Sequence, residues 1–143
     1  MRFQVCENAR KNVEDIKTGE AFLCYNEEEA EKLCNYLNKE ITGTSKSIYE
    51  MTAFDLIRNK DKLIMDYNQF MTKYRELEAK LLIDTDFSEA LGKSRTNKEE
   101  REAYINREMA RVIATRKSYE HSIDIVNDLL RLRMKEVTNG WNL

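Results

Sequence analysis

The chain contains no proline and only four glycines among its 143 residues, so few positions would interrupt a long helix. It has a single histidine, His121, which leaves histidine-based acid–base chemistry dependent on one side chain. Its three cysteines are an odd number without the spacing of a disulfide framework, which favours a reduced, cytoplasmic setting. We therefore expect a helix-rich cytoplasmic protein without disulfide bridges.

Long apolar runs are also missing from the sequence. No stretch approaches the roughly 18 apolar residues that a membrane-spanning helix needs. The first residues, from Met1 to Cys6, have no apolar core of signal-peptide length. We therefore expect no membrane partner and no secretory leader.

Neither sign of charge is in large excess, because 24 basic residues face 26 acidic ones. The distribution is uneven: residues 1–40 hold 6 basic and 9 acidic residues, whereas residues 91–143 hold 11 and 8. Nucleic-acid-binding modules usually carry a much denser basic face than this C-terminal part. Nucleic-acid binding is therefore an alternative function here and not the favoured one.

Residues 1–41 predict a small head made of a β-hairpin and a helix. Phe3 and Val5 alternate with polar neighbours, and Ala21–Tyr25 is a short aromatic-rich run, as in β-strands. Thr18-Gly19 supplies a turn between strands, since glycine adopts positive φ easily. Such a unit is too small to be stable alone, so we expect it to pack on the rest of the chain or on a second copy.

The helix of the head is predicted to begin at Asn26, a good N-cap residue followed by three glutamates. Its apolar residues recur at helical spacing from Ala30 to Leu37. Residues 42–50, rich in threonine, serine and glycine, have the composition of a linker.

From residue 51 to 143 the apolar residues recur every 3.5 positions, which predicts a long antiparallel helical hairpin of coiled-coil type. The polar, glycine-containing stretch near residues 84–97 predicts its elbow, and Gly140 is expected to end the second helix. The first seam contains Leu56, Lys60, Leu63, Tyr67, Phe70, Tyr74, Leu77 and Leu81, and the second contains Ile105, Met109, Val112, Arg116, Tyr119, Ile123, Val126, Leu130, Arg133 and Val137.

The two seams predict a pairing register in which residue i faces residue 186 − i. Tyr67 would then meet Tyr119, and Arg116 would lie over the Phe70 ring in a cation–π contact. A shift by one heptad is the alternative register.

The apolar stripe of each helix is wider than one seam needs, which predicts a second neighbour. A homodimer would cover the extra residues. The predicted interface residues are Ile57, Ile64, Met71, Ile113, Ile125 and Leu129.

Candidate chemical groups are few and poorly arranged. Cys6, Cys24 and Cys34 could be combined with His121 into a zinc site, but structural zinc sites usually bring ligands in close pairs such as C-x2-C. Asp84 and Asp86 could bind a cation, yet both are ordinary residues at a helix end. Nucleophile and dinucleotide-binding motifs are missing, and Gly92-Lys93-Ser94 lacks the upstream glycine of a phosphate loop. We therefore assign no catalytic residue, metal or cofactor, with a metal-dependent enzyme as a remote alternative.

Four basic side chains lie within nine positions at the elbow: Lys93, Arg95, Lys98 and Arg101. Charged loop tips on rigid scaffolds are common recognition sites. These residues are the predicted contact site for a partner, the alternative being a solvated turn that only reverses the chain.

The pattern Gly92-Lys93, Asn97, Arg101, Ala103 and Tyr104 resembles a motif in small uncharacterised proteins encoded by bacteriophages and prophages, where it opens the second helix of a long hairpin. The order of strands and helix across residues 18–38 also resembles small phage modules. This resemblance implies a phage accessory protein in the host cytosol. Such proteins commonly bind and inhibit a host protein, anti-CRISPR proteins among them. A structural oligomerisation module is a further alternative.

Overall fold

The structure is a computed structural model that describes residues 1–9, 11–41, 44–90 and 95–141. Within these ranges it describes only the backbone of residues 40–41, 44–45, 81–82, 84–90, 95–98 and 137–141. The fold is α+β and mostly helical, with a small antiparallel sheet and two long helices packed against each other. The predicted fold class is confirmed.

The head contains one strand more than the predicted hairpin. Its sheet has the order β1-β2-β3, with both pairs antiparallel, and α1 packs against it. A two-residue pair, β4-β5, and one turn of 3-10 helix then lead to the hairpin helices α2 and α3. The elements are β1 Phe3–Val5, β2 Asn12–Asp15, β3 Ala21–Leu23, α1 Glu27–Leu37, β4 Glu40–Ile41, β5 Thr44–Ser45, the 3-10 turn Ile48–Glu50, α2 Ala53–Ala90 and α3 Arg95–Trp141.

Local sequence signals explain where several elements begin. Gly19 turns the chain between β2 and β3 with φ of 78°, a conformation that glycine adopts without a Cβ clash. Asn26 caps α1, because its side chain accepts a hydrogen bond from the Glu29 N–H at 2.9 Å. Before α2, the Thr52 hydroxyl oxygen accepts from the Asp55 N–H at 3.3 Å. The predicted turn at Gly19 and the predicted cap at Asn26 are therefore confirmed.

Both edges of the three-stranded sheet are covered by polar side chains. Asn38, just after α1, accepts from the Phe3 N–H at 3.1 Å and donates to the Phe3 carbonyl. On the opposite edge, the Ser118 hydroxyl of α3 donates to the Leu23 carbonyl at 2.6 Å. Because unpaired edge groups can recruit other strands, these contacts both satisfy the backbone and close the sheet.

The seam between α2 and α3 follows the predicted register at its centre. The rings of Tyr67 and Tyr119 lie 6.0 Å apart, as the relation 186 − i requires. The predicted cation–π contact is wrong: Phe70 packs on Tyr74 and Tyr119, and the Arg116 guanidinium lies 3.8 Å from Glu120. An exposed carboxylate one turn away is the nearer partner for this long side chain.

Both hairpin helices are longer than predicted. Helix α2 runs through Asp84 and Asp86 to Ala90, and α3 already begins at Arg95, so much of the predicted elbow is helical. Gly140 does not end α3, which continues to Trp141. A single glycine near a helix end costs only about 1 kcal/mol relative to alanine, so it weakens the helix without ending it.

The core is one continuous cluster from the sheet into the hairpin. It includes Phe3 and Phe22 of the head, Ile48 before α2, and Phe70 and Val126 of the hairpin, all at most 2% exposed. Ile48 lies within the segment predicted as a linker, and the predicted domain boundaries stay a prediction. Over the described ranges, no helix is long and apolar enough to cross a membrane.

Candidate binding surfaces

One side of α2 carries large apolar side chains that the described part of the chain leaves uncovered. Phe54, Ile57 and Met65 are 65%, 52% and 51% exposed, and Ile64 is partly exposed. Their spacing places them on one side of the helix, away from the seam. We call these four residues the α2 outer row.

A shallow groove of about 660 Å³ runs along α2 beside the outer row. Ile64 and Met65 line it together with polar and charged side chains. Asp61 and Glu76 contribute negative charge to its border, and Lys73 contributes positive charge. The groove therefore combines two apolar residues with polar residues and charges of both signs.

Polar contacts with the head hold both hairpin helices in place. The Tyr119 hydroxyl donates to the Glu29 carboxylate at 2.7 Å, and both residues are at most 2% exposed. The Asn26 amide donates to the Tyr74 hydroxyl at 3.0 Å, and the ring of Tyr25 packs 4.4 Å from that of Tyr74. We call these five residues the head–hairpin junction. Because buried polar groups are costly without partners, these bonds favour one orientation of the head on the hairpin.

The thiol and phenol groups around Glu29 have raised pKa values. Burial, and then the nearby Glu29 carboxylate, raise the pKa of the Cys24 thiol to about 12 and that of the Tyr74 phenol to about 12. The same two causes raise the pKa of Tyr119. These groups are therefore hydrogen-bond donors or packing groups at neutral pH and not thiolate or phenolate nucleophiles.

The predicted homodimer residues divide into two groups. Ile57 and Ile113 are 52% and 40% exposed, and Ile64 is partly exposed. The other three residues, Met71, Ile125 and Leu129, are partly buried and pack against the core cluster. The structure therefore brings only part of the predicted interface to the surface, and the homodimer stays a prediction.

The predicted elbow site lies mostly outside the described residues. Lys93 belongs to the part of the chain without a description, and Arg95 and Lys98 are described only as backbone in the first turn of α3. Arg101 is partly buried one turn later. Contact through this elbow therefore stays a prediction.

The residues considered for a zinc site do not converge. The Cys24 thiol lies 3.8 Å from the Phe22 carbonyl, and the Cys34 thiol lies 3.5 Å from the Phe3 carbonyl. His121 stacks on Phe22, with ring centroids 5.7 Å apart. Among the described side chains, no three histidine, cysteine or acidic groups lie close enough to share a metal ion.

His121 has a partner that the sequence pattern did not suggest. Its Nε2 lies 2.6 Å from the Glu20 carboxylate of the turn before β3. The two residues are 101 positions apart, so no local spacing could have indicated the pair. It links the head to α3 at the surface. The other predicted candidates, Asp84 and Asp86, lie inside α2, and their side chains are not among those described.

Four arginines of α3 pair with carboxylates of the same helix. Arg111 lies 3.7 Å from Glu108, and Arg116 lies 3.8 Å from Glu120. A surface that follows a nucleic-acid backbone would present such side chains without nearby carboxylates. This part of α3 is therefore a mixed-charge surface.

A second cavity of about 660 Å³ lies between α1 and α2. Lys32, Tyr36 and Lys39 line it from the head, and Lys62 and Asp66 line it from α2. The sequence did not single out these residues, because the two groups are far apart in the chain. Their meeting depends on how the head docks.

Comparisons with known proteins give no relative for this arrangement: no family model, no curated protein and no solved structure matches the chain.

Proposed function

We propose that this chain is a non-enzymatic binding protein that attaches to a partner protein through the α2 outer row. The observation that carries the proposal is the exposure of Phe54, Ile57 and Met65, each at least half exposed on one side of a single helix. Exposed apolar side chains grouped on one side of a helix are characteristic of protein interfaces, and here Asp61 lies among them. The resemblance to phage accessory proteins adds that the partner would be a host protein that is inhibited or redirected.

The shape and charge of the surface favour a helical segment of the partner. Apolar residues at helical spacing with a shallow groove beside them suit an amphipathic helix that lays its apolar side on the row. The border holds Asp61 and Glu76 together with Lys73, so the matching segment would carry charges of both signs. The head–hairpin junction supports this proposal because it stabilises the helix that presents the row.

The proposal is tested with a double variant, Ile57→Asp and Met65→Asp, and with Leu132→Asp as a control. Leu132 is 56% exposed on α3, so the control makes the same kind of change at a similar exposure. A partner would first be identified by affinity capture and then titrated in purified form by calorimetry. We expect the double variant to weaken binding by about tenfold or more, since residues central to an interface contribute most of its affinity.

Two outcomes would contradict this assignment. Unchanged partner binding in the double variant would remove the α2 outer row from the interface. Light scattering that shows a dimer for the wild type and a monomer for the double variant would assign the row to a second copy of the chain.

Nucleic-acid binding is distinguished by its salt dependence. The wild-type chain would be tested by filter binding to DNA and RNA. Strong binding that falls steeply as the salt concentration rises would support phosphate contacts and count against a protein-binding function. We expect weak binding, because Arg111 and Arg116 of α3 lie next to carboxylates.

A further inference from the structure

The cleft between α1 and α2 gathers three lysines around one buried tyrosine. Lys32 and Tyr36 are four residues apart on α1, and Lys39 follows two residues after that helix ends; all three line the cavity. Lys62 and Asp66 are one helical turn apart on α2 and form the opposite wall. Two separate elements therefore bring ionisable side chains into one cavity.

The charges in this cleft are not balanced by the protein. Three lysines and one aspartate give a formal net charge of +2 around the cavity. Within the described part of the chain, Lys39 and Lys62 form no ion pair. Lys32 lies 3.6 Å from Glu28, a solvent-exposed pair that costs little to separate. Like charges held close together favour the binding of an anion.

The Tyr36 hydroxyl also has no hydrogen-bond partner, although the residue is only 5% exposed. Burial, and then the nearby Asp66 carboxylate, raise its pKa, so it stays protonated. Because the hydroxyl oxygen itself is fully buried, Tyr36 forms part of the cleft wall without offering a hydrogen bond to a ligand.

We propose that this cleft binds a small organic phosphate that also carries hydroxyl groups, such as a sugar phosphate. A phosphate group carries a charge of about −1.5 to −2 at neutral pH and three acceptor oxygens, which matches three ammonium groups better than a single carboxylate does. The cavity of about 660 Å³ is far larger than a phosphate ion and is within the usual size range of ligand pockets. Asp66 would accept a hydrogen bond from a hydroxyl of the organic part.

The test is calorimetric titration of the full chain with ribose 5-phosphate and, separately, with inorganic phosphate. We expect saturable binding of both, with ribose 5-phosphate tighter. The double variant Lys39→Glu and Lys62→Glu should lower the affinity for each of the two phosphates by about tenfold or more, because it replaces positive charges that attract the phosphate with negative charges that repel it. Its control is Lys80→Glu with Lys135→Glu, which changes the net charge equally at exposed positions outside the cleft.

Two conservative variants separate the roles within the cleft. Asp66→Asn should weaken the binding of ribose 5-phosphate but not that of inorganic phosphate. Tyr36→Phe should leave the binding of both unchanged, because the tyrosine hydroxyl is buried beneath the cleft surface. The proposal is overturned if neither probe binds saturably or if the control variant loses as much affinity as the cleft variant. Equal affinity for ribose 5-phosphate and inorganic phosphate would show that the cleft does not recognise the sugar.

Discussion

Tyr119 and Tyr67 each donate a hydrogen bond to a glutamate, but the first bond is buried and the second is exposed to solvent. Tyr119 bonds to Glu29 where both residues are buried, whereas Tyr67 bonds to the exposed Glu120 at 3.0 Å. Water can replace the second hydroxyl as a partner but not the first. The two tyrosines therefore form a matched pair for measuring what burial adds to a hydrogen bond.

We predict that Tyr119→Phe lowers the free energy of unfolding by about 1.5–3 kcal/mol, because the buried Glu29 carboxylate loses a charge-assisted bond. Tyr67→Phe should cost less than about 0.5 kcal/mol, as surface changes usually do. Urea unfolding followed by circular dichroism measures both. Equal losses in the two variants would contradict the assignment of Tyr119 to a buried junction.

The environment of the Asp15 carboxyl changes its pKa and, through it, the pH dependence of stability. Burial alone would raise its pKa, but hydrogen bonds outweigh that effect, and the pKa is lowered. Arg2 supplies two of these bonds, from Nε at 2.9 Å and from Nη2 at 3.0 Å. A carboxyl with a lowered folded-state pKa stabilises the fold above its unfolded pKa of about 3.9 and loses this contribution as the pH falls through the folded value.

We therefore predict that Asp15→Asn lowers stability at pH 7 and reduces the further loss between pH 7 and pH 3. Asp61→Asn, at an exposed position on α2, is the control and should change neither quantity much. Urea midpoints at the two pH values provide the measurement. A wild-type chain and an Asp15→Asn variant with the same stability difference between pH 7 and pH 3 would rule out this linkage.

At the scale of elements, heptad spacing predicted most of the seam. Leu56, Leu63 and Tyr74 on α2 and Val112 and Val126 on α3 are all at most 4% exposed. Arg133, a polar exception in the predicted seam, donates to the Tyr49 and Met51 carbonyls before α2, with Nη2 2.9 Å from the first. The seam therefore accommodates the Arg133 guanidinium because these two backbone carbonyls accept its hydrogen bonds.

The head-facing side of α3 was not predicted. Thr115, Ser118 and Ser122 are at most 6% exposed, although hydroxyl residues normally indicate a solvated face. Each hydroxyl lies within 3.0 Å of the carbonyl four residues before it, so its polar group is satisfied inside the helix. The pattern was missed because heptad spacing describes one neighbour, whereas α3 has a second neighbour in the sheet.

We predict that Val112→Asp destabilises the hairpin by several kcal/mol, because Val112 is 4% exposed and a buried carboxylate without a partner is costly. Lys80→Ala, on the exposed side of α2, should cost less than about 0.5 kcal/mol. Thermal unfolding followed at 222 nm distinguishes the two. Similar melting temperatures for both variants would mean that the two helices do not pack at this position.

On the scale of the whole molecule, the core continues from the sheet into the hairpin without a break. The junction residues, together with Ser118 and His121 on α3, add polar contacts across the same boundary. A head of this size buries too little surface to be stable alone. Its stability is therefore expected to depend on the hairpin.

We predict a single cooperative unfolding transition for the full chain. Circular dichroism reports mostly on the two long helices, whereas reaction of the buried Cys24 thiol with a disulfide reagent reports on the head. The two probes should give the same urea midpoint, since two-state unfolding requires coincident transitions. Exposure of Cys24 at a clearly lower urea concentration would show that the head unfolds independently.

The sequence by itself determined the helix-rich class, the cap at Asn26, the turn at Gly19 and the seam centred on Tyr67 and Tyr119. Each of these depends on local chemistry or on periodicity, which short stretches of chain encode directly. Only the tertiary structure decided which residues of the wide apolar stripes are exposed, that Glu20 meets His121, and that lysines from two helices share a cleft. Those outcomes depend on how the head docks on the hairpin, and docking joins residues that no local spacing relates.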